Sequence, residues 1–367
     1  MTSKTMTSNH DRAIGGSAFV ELLTLAAPQT ARGLTVFPLT AKTDGGSSYI
    51  TLGEALASGQ AYVTEVSAHG SVPELTFVNK GDARVLVLDG EELRGAKQNR
   101  VLNTSILVAA QSTIVVPVSC TEHGRWHYER ADFADGGLVA DRSVRYAMKE
   151  TVSVSVMAGC GYHGDQGRVW DEVGMLHQRH ATVSPTGAMR DAYEAKRVDL
   201  DEVVRRFPLI DGQRGVLIVH GEAVIGLDLV SLPEKYALLH DRLLRSYVFE
   251  ALVSDSDASD DPAIARAFLE RVADLEAESF KSPGLGWDAR FAGNGVLGSV
   301  LVYRDRPVHA AFFNVGGVSG GSGRGPGKRS RRQPRPGSPD VPRSHAEQPR
   351  WAVADARARA RRRRLGW

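Results

Sequence analysis

The sequence has few cysteines and no long apolar run, and both features narrow the class of protein. Its 367 residues include two cysteines, Cys120 and Cys160, which we interpret as free thiols of a reducing compartment rather than as a disulfide framework. The first ten residues lack the apolar stretch of a signal peptide, and no segment approaches the roughly 18 apolar residues of a membrane helix. A cytoplasmic protein without membrane contact is therefore expected.

The familiar motifs of nucleotide-binding and hydrolytic enzymes are also missing. The chain has no Gly-x-Gly-x-x-Gly after a strand, no phosphate-loop lysine motif and no Gly-x-Ser-x-Gly elbow. These absences exclude the commonest templates for such chemistry, and they leave open an enzyme of another design.

The small net charge of +2 conceals two regions of opposite sign. Residues 318–367 contain 14 Lys and Arg against 3 Asp and Glu, a net charge of +11, which leaves −9 for residues 1–317. Binding to duplex phosphates requires clustered cations, so no nucleic-acid partner is expected for the acidic body.

The basic C-terminal region is interpreted as a disordered tail over residues 315–367, because it has almost no aliphatic side chains to bury. Thirteen of its fourteen basic residues are Arg, which favours an origin in a frameshifted reading of GC-rich DNA. The alternative is a nucleic-acid-binding arm.

Between residues 33 and 314 the sequence predicts one α+β domain with a largely antiparallel sheet and helices grouped mainly in the second half. Residues 1–32 are expected to form a flexible leader. Thr51 and Glu54 have capping-box spacing, which predicts a helix at 51–58. β-Branched runs predict strands at 34–39, 61–66, 75–78, 85–88, 105–108 and 113–118. Later segments predict helices at 165–177, 199–206, 234–252 and 262–276, with hairpins at 215–230 and 298–313.

The polar run from Asp89 to Arg100 follows an apolar strand and is the strongest candidate site. We expect it to be a loop held by the sheet, where functional residues usually lie. The alternative is a solvated loop with internal salt bridges.

Several side chains in and after this run have the chemistry of a site. Glu91 and Glu92 could serve as a general base or as magnesium ligands, and Cys120 as a nucleophile. The candidate ligand-binding residues neutralise, orient or cradle an anionic or planar group, and they are Lys97, Gln98, Asn99, Arg100, Asn103, Arg125 and Trp126.

Cys120, His123 and His127 have a spacing that superficially resembles a zinc motif, but a fourth ligand is not evident. Packed or surface positions for these side chains are the alternative. No metal site is predicted, and the sequence does not identify a cofactor.

The four residues between the strands at 105–108 and 113–118 suit a hairpin, so these strands are expected to pair antiparallel. Such pairing would bring the polar run beside the segment that follows Cys120. The side chains expected on one concave surface are Glu91, Lys97, Gln98, Arg100, Arg125 and Trp126.

Five segments together resemble one prokaryotic family: 49–55, 72–75, 88–104, 117–120 and 124–126. The central segment, Leu-Asp-Gly-Glu-Glu-Leu-Arg-Gly-Ala-Lys-Gln-Asn-Arg, is long and specific. The chain resembles the ARG and rhodanese-phosphatase-superfamily-associated protein domain, where ARG means ADP-ribosylglycohydrolase. The resemblance spans residues 33–313, and the tail departs from the family pattern.

The resemblance implies work near ADP-ribose or NAD metabolism, with an ADP-ribose-type nucleotide as ligand and an ADP-ribosylglycohydrolase-type enzyme as possible partner. Two hypotheses follow from it. The first is an enzyme that uses Glu91 or Glu92, and the second is a non-catalytic module that senses such a ligand or docks a partner enzyme. This implication is an analogy between families and does not describe site chemistry.

Overall fold

The computed structural model describes residues 14–42, 46–67, 71, 73–128, 130, 132–253 and 257–315. The helices are α1 (Gly16–Val20), α2 (Leu52–Ala57), α3 (Arg142–Met157), α4 (Gln166–Arg179), α5 (Met189–Ala195), α6 (Arg197–Val204), α7 (Pro233–Val248) and α8 (Pro262–Ala273), and a 3-10 helix follows α7 at Phe249–Leu252. The tail at 316–367, and the expectations placed on it, lie outside the described residues.

The strands of the first half are β1 (Leu23–Leu25), β2 (Gln29–Ala31), β3 (Leu34–Ala41), β4 (Ile50–Thr51), β5 (Ala61–Glu65), β6 (Glu74–Asn79), β7 (Val85–Val87), β8 (Glu91–Gly95), β9 (Arg100–Leu102), β10 (Ile106–Val108), β11 (Ser112–Cys120) and β12 (Phe133–Val139). Those of the second half are β13 (Gly215–His220), β14 (Ala223–Val230), β15 (Glu278–Lys281), β16 (Trp287–Gly293), β17 (Val296–Tyr303) and β18 (Arg306–Asn314). The α+β class and the antiparallel character are confirmed, and the strands divide among three sheets.

The largest sheet has nine strands in the order β1-β3-β13-β14-β18-β17-β16-β15, with β2 also paired to β3. Both of its faces are covered. On β13, Val216 and Ile218 join the apolar core shared with α3 and α7, whereas Leu217 and Val219 join the core shared with α1 and α8. A strand buried on both faces needs no polar alternation, which explains the continuous apolar run of β13.

The second assembly is a closed six-stranded barrel in the order β11-β6-β5-β12-β8-β9. The β9–β11 pairing closes it. Along each strand, side chains that point into the barrel alternate with side chains that point outward. The interior is filled by apolar side chains, which include Val63, Leu75, Phe77, Leu102 and Val118. A small barrel of this kind leaves room for polar interior groups chiefly at its ends.

The expected hairpin between 105–108 and 113–118 is wrong. β10 pairs with β7 in a three-stranded sheet, and β11 pairs with β6 and β9 in the barrel. The segment between β10 and β11 passes from one sheet to the other, and the side chain of Asn79 fixes its position. The Asn79 side-chain amide donates hydrogen bonds to the carbonyls of Ala83 and Ala109, both at 2.8 Å. Gln111, with φ of 49°, then starts the turn into β11.

Part of the expected leader belongs to the described fold. β1 and β2 both pair with β3, and α1 packs on α8. Gly16 makes this packing possible, because a Cβ at this position would lie 2.0 Å from the carbonyl oxygen of Val272. Its amide donates a hydrogen bond of 3.2 Å to Leu275 O.

The sequence predicts correctly those elements whose interacting residues are near each other in the chain. The capping box is present, since the Glu54 amide bonds the Thr51 hydroxyl and the Glu54 carboxylate accepts from the Thr51 amide. The predicted hairpins correspond to β13–β14 and β17–β18. The predicted helices of the second half correspond to α4, α6, α7 and α8.

Candidate functional site

The polar run is a buried hairpin of the barrel, which differs both from the expected loop held by the sheet and from its alternative, a solvated loop. β8 and β9 pair through Glu92 with Val101 and Leu93 with Arg100. The turn between them uses positive φ at Gly95 (129°) and Ala96 (41°). From Ala96 to Arg100 every residue is buried. The charged groups are therefore held by specific partners.

Glu91 and Glu92 are adjacent in β8 and contact different helices. Glu91 accepts a hydrogen bond of 2.8 Å from the Leu88 amide and lies 3.4 Å from Arg242 of α7. Glu92 pairs with Arg190 of α5. Burial raises the pKa of each carboxyl group to about 7. The two carboxyls therefore tie the barrel hairpin to α5 and α7.

Strand alternation directs three polar side chains into one end of the barrel. Arg100 is the first residue of β9, two positions before the interior residue Leu102, and Cys120 is the last residue of β11, two positions after Val118. Glu65 is the last residue of β5, two positions after Val63. Because neighbouring strands run antiparallel, these strand ends meet at the same end of the barrel.

We call this end the barrel mouth, formed by Glu65, Lys97, Gln98, Arg100, Cys120 and Trp126. Arg100 is fully buried, and its Nη1 donates hydrogen bonds to Gln98 Oε1 at 2.8 Å and to Cys120 Sγ at 2.7 Å. Its Nη2 lies 4.0 Å from Glu65 Oε1. Its Nε and Nη2, and both Glu65 carboxylate oxygens, have no hydrogen-bond partner among the described residues. Unmatched polar groups of this kind are costly to bury, which marks them as candidates for a ligand.

Aromatic side chains lie at the outer side of the mouth. Trp126 is 49% exposed, and its ring centroid lies 5.8 Å from the Arg100 guanidinium and 5.4 Å from Lys97 Nζ. Tyr128 is 48% exposed, with Lys97 Nζ 5.2 Å from its ring. Exposed rings beside cations provide a surface on which a planar, anionic ligand can stack.

Asn99 and Arg125 hold the turn of the hairpin. Arg125 donates to Glu122 Oε2 at 2.7 Å, to Asn99 Oδ1 at 3.2 Å and to Ala96 O at 2.8 Å. Glu122 also accepts from the Asn99 amide at 3.1 Å. These residues lie beside Lys97 and Trp126 because β9 pairs with β11, which is a different pairing from the predicted hairpin. Their contacts position the turn.

Asn103 lies at the far end of β9, away from the mouth. Its side chain donates to Tyr162 O at 2.9 Å and accepts from Ser119 Oγ at 2.7 Å. Ser119 and Cys120 alternate on β11, so Asn103 meets the outward-facing residue. The structure therefore separates Asn103 from the interior group around Cys120.

Cys120 is fixed on both sides. Gln166 of α4 accepts from the Cys120 amide at 2.7 Å and donates to its carbonyl at 2.8 Å. Burial raises the pKa of the thiol to about 11, against the opposing effect of Arg100. The thiolate required of a nucleophile is thus disfavoured. His123 packs edge-on against Trp170, with ring centroids 4.3 Å apart, and makes no zinc arrangement with Cys120.

A second polar group, of which the sequence indicated only Asp89 at the start of the polar run, lies between the barrel, α3 and the nine-stranded sheet. Arg145 donates to both carboxylate oxygens of Asp228, at 2.8 and 2.6 Å, and lies 3.3 Å from Asp89. Lys149 Nζ lies 2.8 Å from Asp89 Oδ2. We call this group, completed by His309, the charge cluster. A sequence signal that could have revealed it is Asp228, a charged residue inside the apolar run of β14.

The charge cluster also contains possible metal ligands. Asp89, Asp228 and His309 each offer an atom within 4.8 Å of the others. Burial raises the pKa of both Asp carboxyls, but Lys149 and Arg145 hold that of Asp89, and Arg145 that of Asp228, below the usual range. Two carboxylates facing two cations are already neutralised, so the electrostatics favour a structural role over a divalent ion.

Comparison with known proteins identifies the family. The model of the ARG and Rhodanese-Phosphatase-superfamily-associated Protein domain matches residues 23–313, and the chain belongs to this family. No significant match is found among curated proteins or among solved structures. None of the helices in the described part of the chain is long and apolar enough to span a membrane.

Proposed function

We propose that the barrel mouth binds a nucleotide of the ADP-ribose type and that the protein is a ligand-sensing module. The observation that carries this proposal is the combination of a buried Arg100 with two unmatched nitrogens and an exposed Trp126 stacked 5.8 Å from it. A base can stack on the aromatic surface, and Lys97 lies beside that surface for a phosphate. The choice of ADP-ribose rests on the family's association with ADP-ribosylglycohydrolases.

A binding role is favoured over catalysis because the candidate catalytic groups have other partners. Glu91 and Glu92 bind arginines of α7 and α5, and burial keeps the Cys120 thiol protonated. A general base must reach the proton that it removes. A carboxylate that is paired with an arginine is poorly placed to do so. An ADP-ribosylglycohydrolase-type enzyme would then be a downstream partner of the sensor.

Calorimetric titration of the full chain with ADP-ribose tests the proposal, with tryptophan fluorescence as a second readout. Trp126→Ala should weaken binding by roughly tenfold or more, since stacking on one aromatic ring contributes about 1–3 kcal/mol per base. Trp287→Ala is the matched control, because Trp287 also stacks with a lysine, Lys281 at 5.2 Å, but lies in the nine-stranded sheet.

Product analysis with and without magnesium separates the two roles. A sensor binds ADP-ribose and returns it unchanged. If the wild-type protein consumes ADP-ribose and Glu91→Gln abolishes this activity, the protein is an enzyme and not a sensor. Equal binding by the two tryptophan variants would remove the barrel mouth as the site.

A further inference from the structure

Glu65 is a carboxylate of the barrel mouth, and its hydrogen-bonding capacity is unused by the part of the chain that the structure describes. Its side chain is 4% exposed, and both carboxylate oxygens are buried without a donor among the described residues. The closest cation is Arg100, whose Nη2 lies 4.0 Å away, too far for a hydrogen bond. Buried carboxylates are expensive unless their oxygens accept hydrogen bonds. The position is thus suited to a ligand that donates to it.

Arg100 presents the complementary half of this arrangement. Its Nη1 is occupied by Gln98 and Cys120. The unmatched Nε and Nη2 form one edge of the planar guanidinium, with two parallel N–H groups. The mouth therefore offers two donors from Arg100 and two acceptors from Glu65, with Nη2 and Oε1 4.0 Å apart.

We propose that Glu65 and Arg100 together bind a vicinal diol, the 2′,3′-diol of a ribose, and that Glu65 determines this specificity. The inference rests on the proposed binding of an ADP-ribose-type ligand and names the group of the ligand that enters the barrel. Each hydroxyl of a diol both accepts and donates one hydrogen bond. Two hydroxyls therefore satisfy the two N–H groups of Arg100 and the two oxygens of Glu65 together.

A phosphate is a poorer occupant of the same position. It has acceptors for Arg100 but no proton for Glu65, and its charge would face a carboxylate that already lies 4.0 Å from Nη2. The phosphate of the ligand is therefore assigned to the outer side, near Lys97 and the two exposed rings. Trp126 is half-exposed and lies against the guanidinium, so the diol assignment requires this ring to move aside.

The test compares ribose 5-phosphate with 2-deoxyribose 5-phosphate, which carry the same phosphate and differ by one hydroxyl. Affinities for the full chain are measured by ligand-observed NMR titration. The wild-type protein should prefer ribose 5-phosphate by roughly tenfold or more, because a site built to bond a hydroxyl rejects the analogue that lacks it. Glu65→Gln should bring the two affinities close together.

Glu74→Gln is the matched control. Glu74 is the first residue of β6 at the same end of the barrel, and it alternates with the interior Leu75 and so faces outward. This variant should keep the wild-type preference. If Glu65→Gln does not fold, Glu65→Asp retains the charge and withdraws the oxygens from the diol, and it should reduce the preference.

The outcomes separate this inference from the proposed function. Equal affinity of the wild type for the two sugars, no binding of either, or a preference unchanged in Glu65→Gln would overturn the diol assignment. ADP-ribose binding that depends on Trp126 but not on Glu65 would leave the proposed function standing without the diol. Ribose 5-phosphate binding with the expected preference, without ADP-ribose binding, would support the diol and reject the proposed nucleotide.

Discussion

The barrel mouth and the charge cluster each contain an arginine with no solvent exposure, but the two arginines differ in their partners. Both terminal nitrogens of Arg145 bond both oxygens of Asp228, and its Nε alone lacks a hydrogen-bond partner among the described residues. Arg100 faces Glu65 across 4.0 Å, and both its Nε and its Nη2 are unmatched there. Burial alone does not distinguish the two arginines. The hydrogen bonds of the surrounding groups do.

The largest effect is expected when the charge cluster is broken. Asp228→Asn should lower the free energy of unfolding by about 3–5 kcal/mol, because it leaves Arg145 as an incompletely compensated buried charge. Urea denaturation measures this loss. Asp201→Asn is the control, since Asp201 pairs with Arg245 at the surface and the change should cost under about 1 kcal/mol. A loss at Asp228 no larger than that at Asp201 would contradict the structural role of the cluster.

The β8 carboxyls, Glu91 and Glu92, and the charge cluster should respond to pH in opposite directions. Burial raises the pKa of Glu91 and of Glu92 from 4.5 to about 7, so the folded protein holds protons that the unfolded chain has released between these values. The stability that these two carboxyl groups give the folded protein therefore falls as pH rises from 4.5 to 7. Asp89 and Asp228 have lowered pKa values, and their stabilisation is lost only as pH falls below the unfolded value of 3.8.

The free energy of unfolding should therefore be higher at pH 5.5 than at pH 7.5, by about 2 kcal/mol for each of the two Glu carboxyls. Urea titrations at the two pH values measure the difference. Glu91→Gln should remove part of it, and Glu278→Gln, at an exposed position of β15, should not. A stability that rises from pH 5.5 to 7.5 would show that the arginine partners outweigh burial.

The smallest effect concerns the two thiols, and it distinguishes the mouth from the surface. Cys160 is exposed, whereas Cys120 is buried and its pKa is raised to about 11. Iodoacetamide at neutral pH should label Cys160 and spare Cys120, because the thiolate is the reactive form. Mass spectrometry of the labelled peptides measures this, with Cys160→Ser as the control. Rapid labelling of Cys120 would indicate a reactive thiol and would reopen its role as a nucleophile.

Sequence reasoning succeeded where the interacting residues are close in the chain. Thr51 and Glu54 are three residues apart and form their capping box within one helical turn. The β13–β14 hairpin needs only a two-residue turn between strands. These signals depend on local geometry, so the sequence contains them directly.

Prediction from the sequence failed where a residue distant in the chain determines the conformation. The connection from β10 to β11 has a length typical of a hairpin, yet Asn79, about thirty residues earlier, bonds Ala109 and directs the chain into the barrel. The polar run has the composition of a solvated loop, but its partners Arg190 and Arg242 come from helices about a hundred residues or more away.

The sequence by itself determined the α+β class, the local elements and the two segments that contain Lys97 with Arg100 and Trp126, because residue periodicity and composition record local preference. Only the tertiary structure decided that Arg100 lies inside a barrel, that Glu65 faces it and that Asp228 neutralises Arg145. A carboxylate in a strand has the same composition whether it faces water or a buried cation. Its role is set by the strands that close around it, and sheet closure depends on pairings between distant residues.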